Sequence, residues 1–93
     1  MAYNYFIIVK GRHVMPLSQA LAARIKELLI QKEMTQYRLA MNSGVSHGIL
    51  SAIIHCQNKS TSLLIVYNIA QGFGMDLPEF FDSPLFRDGN ITD

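Results

Sequence analysis

Apolar positions recur at helical intervals along most of this chain. Leu21, Ile25, Leu28 and Leu29 are interleaved with Arg24, Lys26 and Glu27, so one face of the segment is apolar and the other charged. With Ser18 as its N-cap, this pattern predicts a first helix over about residues 18–32. Thr35 is placed to cap a second helix that ends near Asn42, because Ser43 and Gly44 are turn formers. Ser46 then caps a third helix over about residues 47–55. The polar run from Cys56 to Thr61 reads as a loop. Ser62 opens a fourth helix, with Leu63, Val66, Tyr67, Ile69, Ala70 and Phe73 at helical spacing and Gly74 at its end. Asp76 and Glu79 have the spacing of a capping box around Pro78, which predicts a short fifth helix carrying Leu77, Phe80 and Phe81.

Two segments fall outside this pattern. Residues 1–14 (MAYNYFIIVKGRHV) are rich in aromatic and β-branched types and read as one strand. A lone strand cannot satisfy its own backbone, so it needs the tail or a second copy as a partner, unless it is a functionless extension ahead of Met15. In the C-terminal tail, residues 84–93, Pro84, Leu85 and Phe86 are suited to pack back on the core, and the polar residues after them are expected to fray. The expected organisation is an N-terminal extension over 1–14, a helical domain over 15–83 and a tail over 84–93.

Composition narrows the class. A chain of 93 residues with 49% hydrophobic and 16% charged content suits one folded domain and not a disordered tail. No apolar run approaches the roughly 20 residues of a membrane span. The YFIIV run at residues 5–9 is too short and lacks the cleavage site of a signal peptide. The single cysteine, Cys56, cannot form an internal disulfide, which points to a reducing, cytoplasmic setting.

Charge is divided along the chain. Up to residue 59, Lys10, Arg12, Arg24, Lys26, Lys32, Arg38 and Lys59 stand against Glu27 and Glu33, a balance of +5. Beyond it, Arg87 stands against Asp76, Glu79, Asp82, Asp88 and Asp93, a balance of −4. A basic first half suits a surface presented to phosphates.

That half contains the most informative stretch, Gln36 to His55. Ala40 falls where two helices must approach, Gly44 where the backbone must reverse, and Leu50 on the inner face of the second helix. Leu39, Val45 and Ile53 are placed to fix the angle between them. This is helix-turn-helix spacing.

Together with the flanking helices, the chain resembles the lambda-repressor-like, or phage-repressor and xenobiotic-response-element type, helix-turn-helix family. The likeness spans about Leu17 to Phe81. It rests on RIKELL (residues 24–29), MTQYRLA (34–40), SGVS (43–46), NKS (58–60) and IAQGFGMDLPEFF (69–81), in family order and spacing. The resemblance implies an all-α, five-helix DNA-binding domain with room for a short N-terminal β-strand. It also implies a repressor-like transcriptional regulator that binds double-stranded DNA as a homodimer on paired half-sites. On that mapping the helix from Ser46 to about His55 enters the major groove. His47, Gly48, Ile49, Ser51, Ala52 and His55 face the bases, while Thr35, Gln36, Arg38, Ser46, Asn58 and Lys59 are the candidates for phosphate contact.

The base-facing set departs from the family. Gln, Arg, Lys or Asn commonly stand there and form bidentate bonds to guanine or adenine, whereas this chain offers His47, Gly48, Ile49 and Ala52. Ile54 and Leu64 stand where family members usually carry polar residues, which suggests an added apolar surface. The alternative function is therefore a protein-interaction module, antitoxin-like or adaptor, with weak or lost DNA binding. Tyr37 is expected to cover the first helix, with stacking on the sugar-phosphate backbone as the alternative, and Met34, Met41 and Met75 to fill core space. His47, His55 and Cys56 lack a fourth ligand and match no common zinc spacing, so no metal and no cofactor is expected. No nucleophile–base pair or paired carboxylates suggest an enzyme.

Overall fold

Side-chain oxygens set where most of the helices begin. The structure, a computed structural model, describes residues 8–9 and 12–93. Five α-helices follow in order: α1 (Leu17–Gln31), α2 (Gln36–Ser43), α3 (His47–Ile54), α4 (Leu63–Gly72) and α5 (Leu77–Phe81), then a 3₁₀ turn at Pro84–Phe86. Thr35, Ser46, Ser62 and Asp76 each accept the amide of the residue three positions on, at 3.0, 3.2, 3.2 and 2.9 Å. Each bond satisfies one of the amides that a helix start leaves without a partner.

α1 starts differently from expectation. Pro16 occupies its cap position and makes no side-chain cap bond, so Ser18 lies inside the first turn instead of capping it. The Asp93 carboxylate takes over, accepting the Leu17 amide at 2.8 Å. Beside it, the Met15 amide donates to Asn90 O and the Thr92 amide donates to Met15 O, each at 3.0 Å, forming a parallel bridge between Met15 and Ile91. The polar end of the tail is thus tied to the start of α1 and not frayed. Its anchor is also apolar: Met15 is among the most buried side chains, and Phe86 packs on the core.

Most of the single strand expected over residues 1–14 lies outside the described residues. The described part is two short strands, β1 (Ile8–Val9) and β2 (Arg12–His13), paired antiparallel with Ile8 opposite His13 and Val9 opposite Arg12.

The described chain is mostly helical, and its core is built from the inner faces of α1–α5. Ile25, Leu39, Leu50, Ile69 and Phe80 are fully buried at its centre. α2 packs against α4 and α3, α1 against α3 and the 3₁₀ turn, and α4 against α5. Met75 is buried and Met34 partly so, as expected of core filler. Met41 is exposed, contrary to its expected place in the core, and Leu63 and Tyr67 of the α4 apolar pattern are exposed too. In α4 the inward arc is already taken by Val66, Ile69 and Ala70, and Leu63 and Tyr67 fall beside it.

Candidate nucleic-acid interface

The unit from α2 to α3 is assembled by local hydrogen bonds. Gly44 closes α2 in the left-handed region, at φ 73°, while its amide reaches Ala40 O at 3.0 Å. Ser43 Oγ donates to Ala40 O at 3.3 Å and accepts the Val45 amide at 3.2 Å, which turns buried Val45 into the core. Leu50 and Ile53 then hold α3 by its inner side. At the far end, Cys56 takes φ 57° and the Gln57 amide reaches back to Ala52 O at 2.9 Å. Cys56 therefore terminates the helix as a small residue, in a conformation that costs a non-glycine about 1–2 kcal/mol.

Burial sorts the outer residues of α3. His47, Gly48, Ile49 and His55 are exposed, and Ser51 and Ala52 are half-buried. At 100° per residue the direction away from Leu50, Ile53 and Ile54 is occupied by Gly48, Ala52 and His55. Two of these three have no atoms beyond Cβ, so the α3 backbone can come close to whatever lies against it. His55 Nδ1 lies 2.8 Å from Ser51 O. A carbonyl oxygen only accepts, so Nδ1–H is the donor and Nε2 is left to meet a ligand.

The expected phosphate contacts bracket this face. Thr35 and Ser46 lie at the starts of α2 and α3, and each hydroxyl oxygen already accepts an amide, so its own O–H remains to donate to a phosphate. Arg38 is exposed and Gln36 half-buried in the first turn of α2. No acidic residue occupies the first turn of α2 or α3. Asn58 and Lys59 lie beyond the other end of α3, where they line a separate cleft together with Leu17 and Leu63.

Three side chains are placed otherwise than the sequence suggested. Ile54, expected on the surface, is only 6% exposed and belongs to the core. A charge introduced there would unfold the domain instead of probing an interface. Leu64 is exposed as anticipated, at 67%. Tyr37 does not cover α1: it is 60% exposed, and its ring centroid lies 5.7 Å from that of His47. Leu39 and Ala40 occupy the inward direction of α2, and Tyr37, about 160° from Leu39 and about 60° from Ala40, falls at its flank. Tyr37 thereby joins the starts of α2 and α3 in one exposed aromatic pair. Arg24 is also withdrawn from the basic face, being buried against α5. Lys32 and Arg38 are exposed and Lys26 is half-buried.

Gly48 has normal helical geometry, and a Cβ added there meets nothing within 4 Å. Gly48→Ala should therefore stabilise the domain by about 0.5–1 kcal/mol. A rise of a few degrees in thermal midpoint would register this, and an unchanged or lower midpoint would contradict it.

In comparisons with protein-family models, curated proteins and solved structures, nothing matches this chain.

Proposed function

We infer that this protein is a lambda-repressor-like, sequence-specific binder of double-stranded DNA that acts as a repressor-like regulator and inserts α3 in the major groove. The observation that carries the reading is the α2–α3 unit: α3 is fixed by Leu50, Ile53 and Ile54 while His47, Gly48 and Ile49 at its start and His55 at its end are exposed. The Tyr37–His47 pair and the Thr35 and Ser46 hydroxyls lie at the starts of the same two helices. With Gly48 and Ala52 outermost, close approach of the backbone carries more of the contact than bidentate side chains do. Specificity then comes from Ser51, His47, Ile49 and His55, together with the shape of the duplex.

Three or four phosphate contacts per protomer give a log–log salt slope of about −3, so raising salt from about 50 to about 200 mM weakens binding about 50-fold. Fluorescence anisotropy on a mixed duplex pool measures this. Arg38→Ala and Lys59→Ala each reduce the slope by about 1 and weaken binding to all sequences alike, whereas Ser51→Ala shifts which sequences are selected. Duplex binding that is absent at low salt, or indifferent to salt, would remove this reading.

A second reading, an antitoxin-like or adaptor interaction module, is favoured by one observation. Leu63, Leu64 and Tyr67 stand exposed along α4. The same row offers an apolar surface for homodimer contacts, which would place two copies of α3 on paired half-sites. Loss of DNA binding in a folded protein leaves the interaction module standing.

A further inference from the structure

Between the start of α1, the loop after α3 and the start of α4 lies a cleft of about 260 Å³. Its floor is apolar, made by Leu21, Ile53, Val66 and Phe81. Its walls include Leu17 and Leu63, which are 51% and 66% exposed, so apolar surface continues out to the mouth. Most of the polar lining is the loop run Asn58, Lys59, Ser60 and Thr61, and Ser18 of α1 adds one further hydroxyl. Among the described residues, Lys59 is the only charged side chain in the lining, and no acidic residue joins it. None of the four loop side chains makes a hydrogen bond or ion pair with the described residues. By the roughly 30 Å³ that a water-sized group occupies, the space holds about eight or nine such groups in a row or cluster.

We propose that this cleft binds a medium-chain carboxylate, with the alkyl chain on the apolar floor and the carboxylate at Lys59, Ser60 and Thr61. Charge complementarity selects this occupant: a single cation flanked by hydroxyl donors sits at one edge of a mostly apolar space. A neutral chain leaves Lys59 without a partner, and a cation meets nothing of opposite charge.

The site has a consequence that rests on the DNA-binding reading. Lys59 and Asn58 are candidate phosphate contacts, and Ile53 in the floor belongs to the inner face of α3. A carboxylate held at Lys59 competes with a phosphate for the same ammonium, so the bound acid weakens DNA binding. The reciprocal holds too, since coupling between two ligands is mutual.

Titration with decanoate below its micelle-forming concentration, followed through backbone amide resonances, tests the site without DNA. Saturable shifts are expected at Leu17, Ser60, Thr61 and Leu63. Decanoate should bind about fivefold more tightly than decanol, as suits an exposed ion pair, and Lys59→Gln should abolish that difference. Stripping both exposed walls, Leu17→Ser with Leu63→Ser, should weaken both ligands by more than tenfold while the amide spectrum stays that of a folded domain. Shifts confined to Leu64 and Tyr67, equal affinity for decanoate and decanol, or no saturation overturn the proposal. In a second arm, decanoate should release duplex DNA from the native protein, and decanol, which fills the same cleft without a charge for Lys59, should not. A protein that takes decanoate but never binds DNA keeps the site and loses the DNA reading. One that binds DNA but leaves the cleft empty does the reverse.

Discussion

Gly72→Val should cost this domain about 3 kcal/mol, lowering the ratio of folded to unfolded molecules more than 100-fold. Gly72 is the last residue of α4, where α4 lies against α2. A Cβ built on it comes 2.8 Å from Ser43 Cβ, 3.1 Å from Ser43 Cα and 3.1 Å from Leu39 Cδ1. Ser43 Cα and Cβ cannot rotate away, so α2 itself must move. Yet α2 is held by Leu39 in the core and by the Ser43 hydrogen bonds that shape the turn into α3. Asn42 Nδ2 also reaches Gly72 O, at 3.5 Å. Overpacking at a fixed helix contact typically costs 1–3 kcal/mol, and valine adds two methyl groups beyond alanine. Gly72→Ala gains up to about 1 kcal/mol in helix propensity and should still be destabilising, by about 1–2 kcal/mol. The comparison with Gly48→Ala is the sharper measurement. The same substitution at two helical glycines should move the urea midpoint in opposite directions. If both raise it, α2 and α4 are not in the close contact described.

Arg24→Ala should have a similar cost, about 3 kcal/mol. The Arg24 side chain reaches the end of α5, where helix carbonyls have no partner within the helix. Its Nε donates to Phe80 O at 2.7 Å and its Nη2 to Glu79 O at 3.0 Å. Its guanidinium carbon also stands 5.9 Å from the centre of the Phe80 ring. Only 8% of the residue is exposed. Alanine would leave Phe80 O without its donor, a loss of about 1–3 kcal/mol when buried, and would open space beside Phe80, while Glu79 O would keep only the Asp82 amide at 3.2 Å. Arg24 Nη1 additionally pairs with Glu27 Oε1 at 2.8 Å. The Glu27 side chain is one-third exposed, so solvent screens the pair and Glu27→Gln should cost less than about 1 kcal/mol. Arg24→Lys keeps the charge and one donor atom but loses the planar fork, and should fall between. Denaturant midpoints for the three variants order these contributions. A cost for Glu27→Gln as large as that for Arg24→Ala would show that the ion pair, and not the capping of α5, is what Arg24 supplies.

Both effects trace to contacts that the sequence pattern did not disclose. Ala40 was the small residue expected where helices approach, and it is buried as required. A close approach also falls at Gly72, on a helix that the pattern treats as ordinary. Arg24 sits one residue from Ile25 on the charged side of α1, which reads as solvated surface. It is buried because the end of α5 lies above it and long side chains can carry a charged head across apolar surface. Ile54 and Leu63 show the same limit: both are apolar at helix ends, one is buried, the other exposed, and composition does not separate them.

The candidate site was more legible than the core around it. His47, Gly48 and Ile49 were expected to face outward and do. Thr35, Ser46, Arg38 and Lys59 stand exposed at positions the motif spacing allows. For Tyr37 the sequence favours the packing role over stacking on the sugar-phosphate backbone, and its exposure goes against the packing role. The cleft after α3 carries no linear signature, since its floor draws on four separate elements.

The sequence alone determined what depends on neighbours within four residues. Caps at Thr35, Ser46, Ser62 and Asp76, the reversal at Gly44, and the helical phase of the apolar positions all rest on hydrogen bonds and side-chain spacing along one turn of chain. Tertiary structure decided what depends on residues brought together from far apart. Met15 meets Asn90 and Thr92, Asp93 completes the start of α1, Arg24 caps α5, and Gly72 sets the distance from α4 to α2. Each is a choice among surfaces of similar chemistry, settled by which one the packed core leaves within reach.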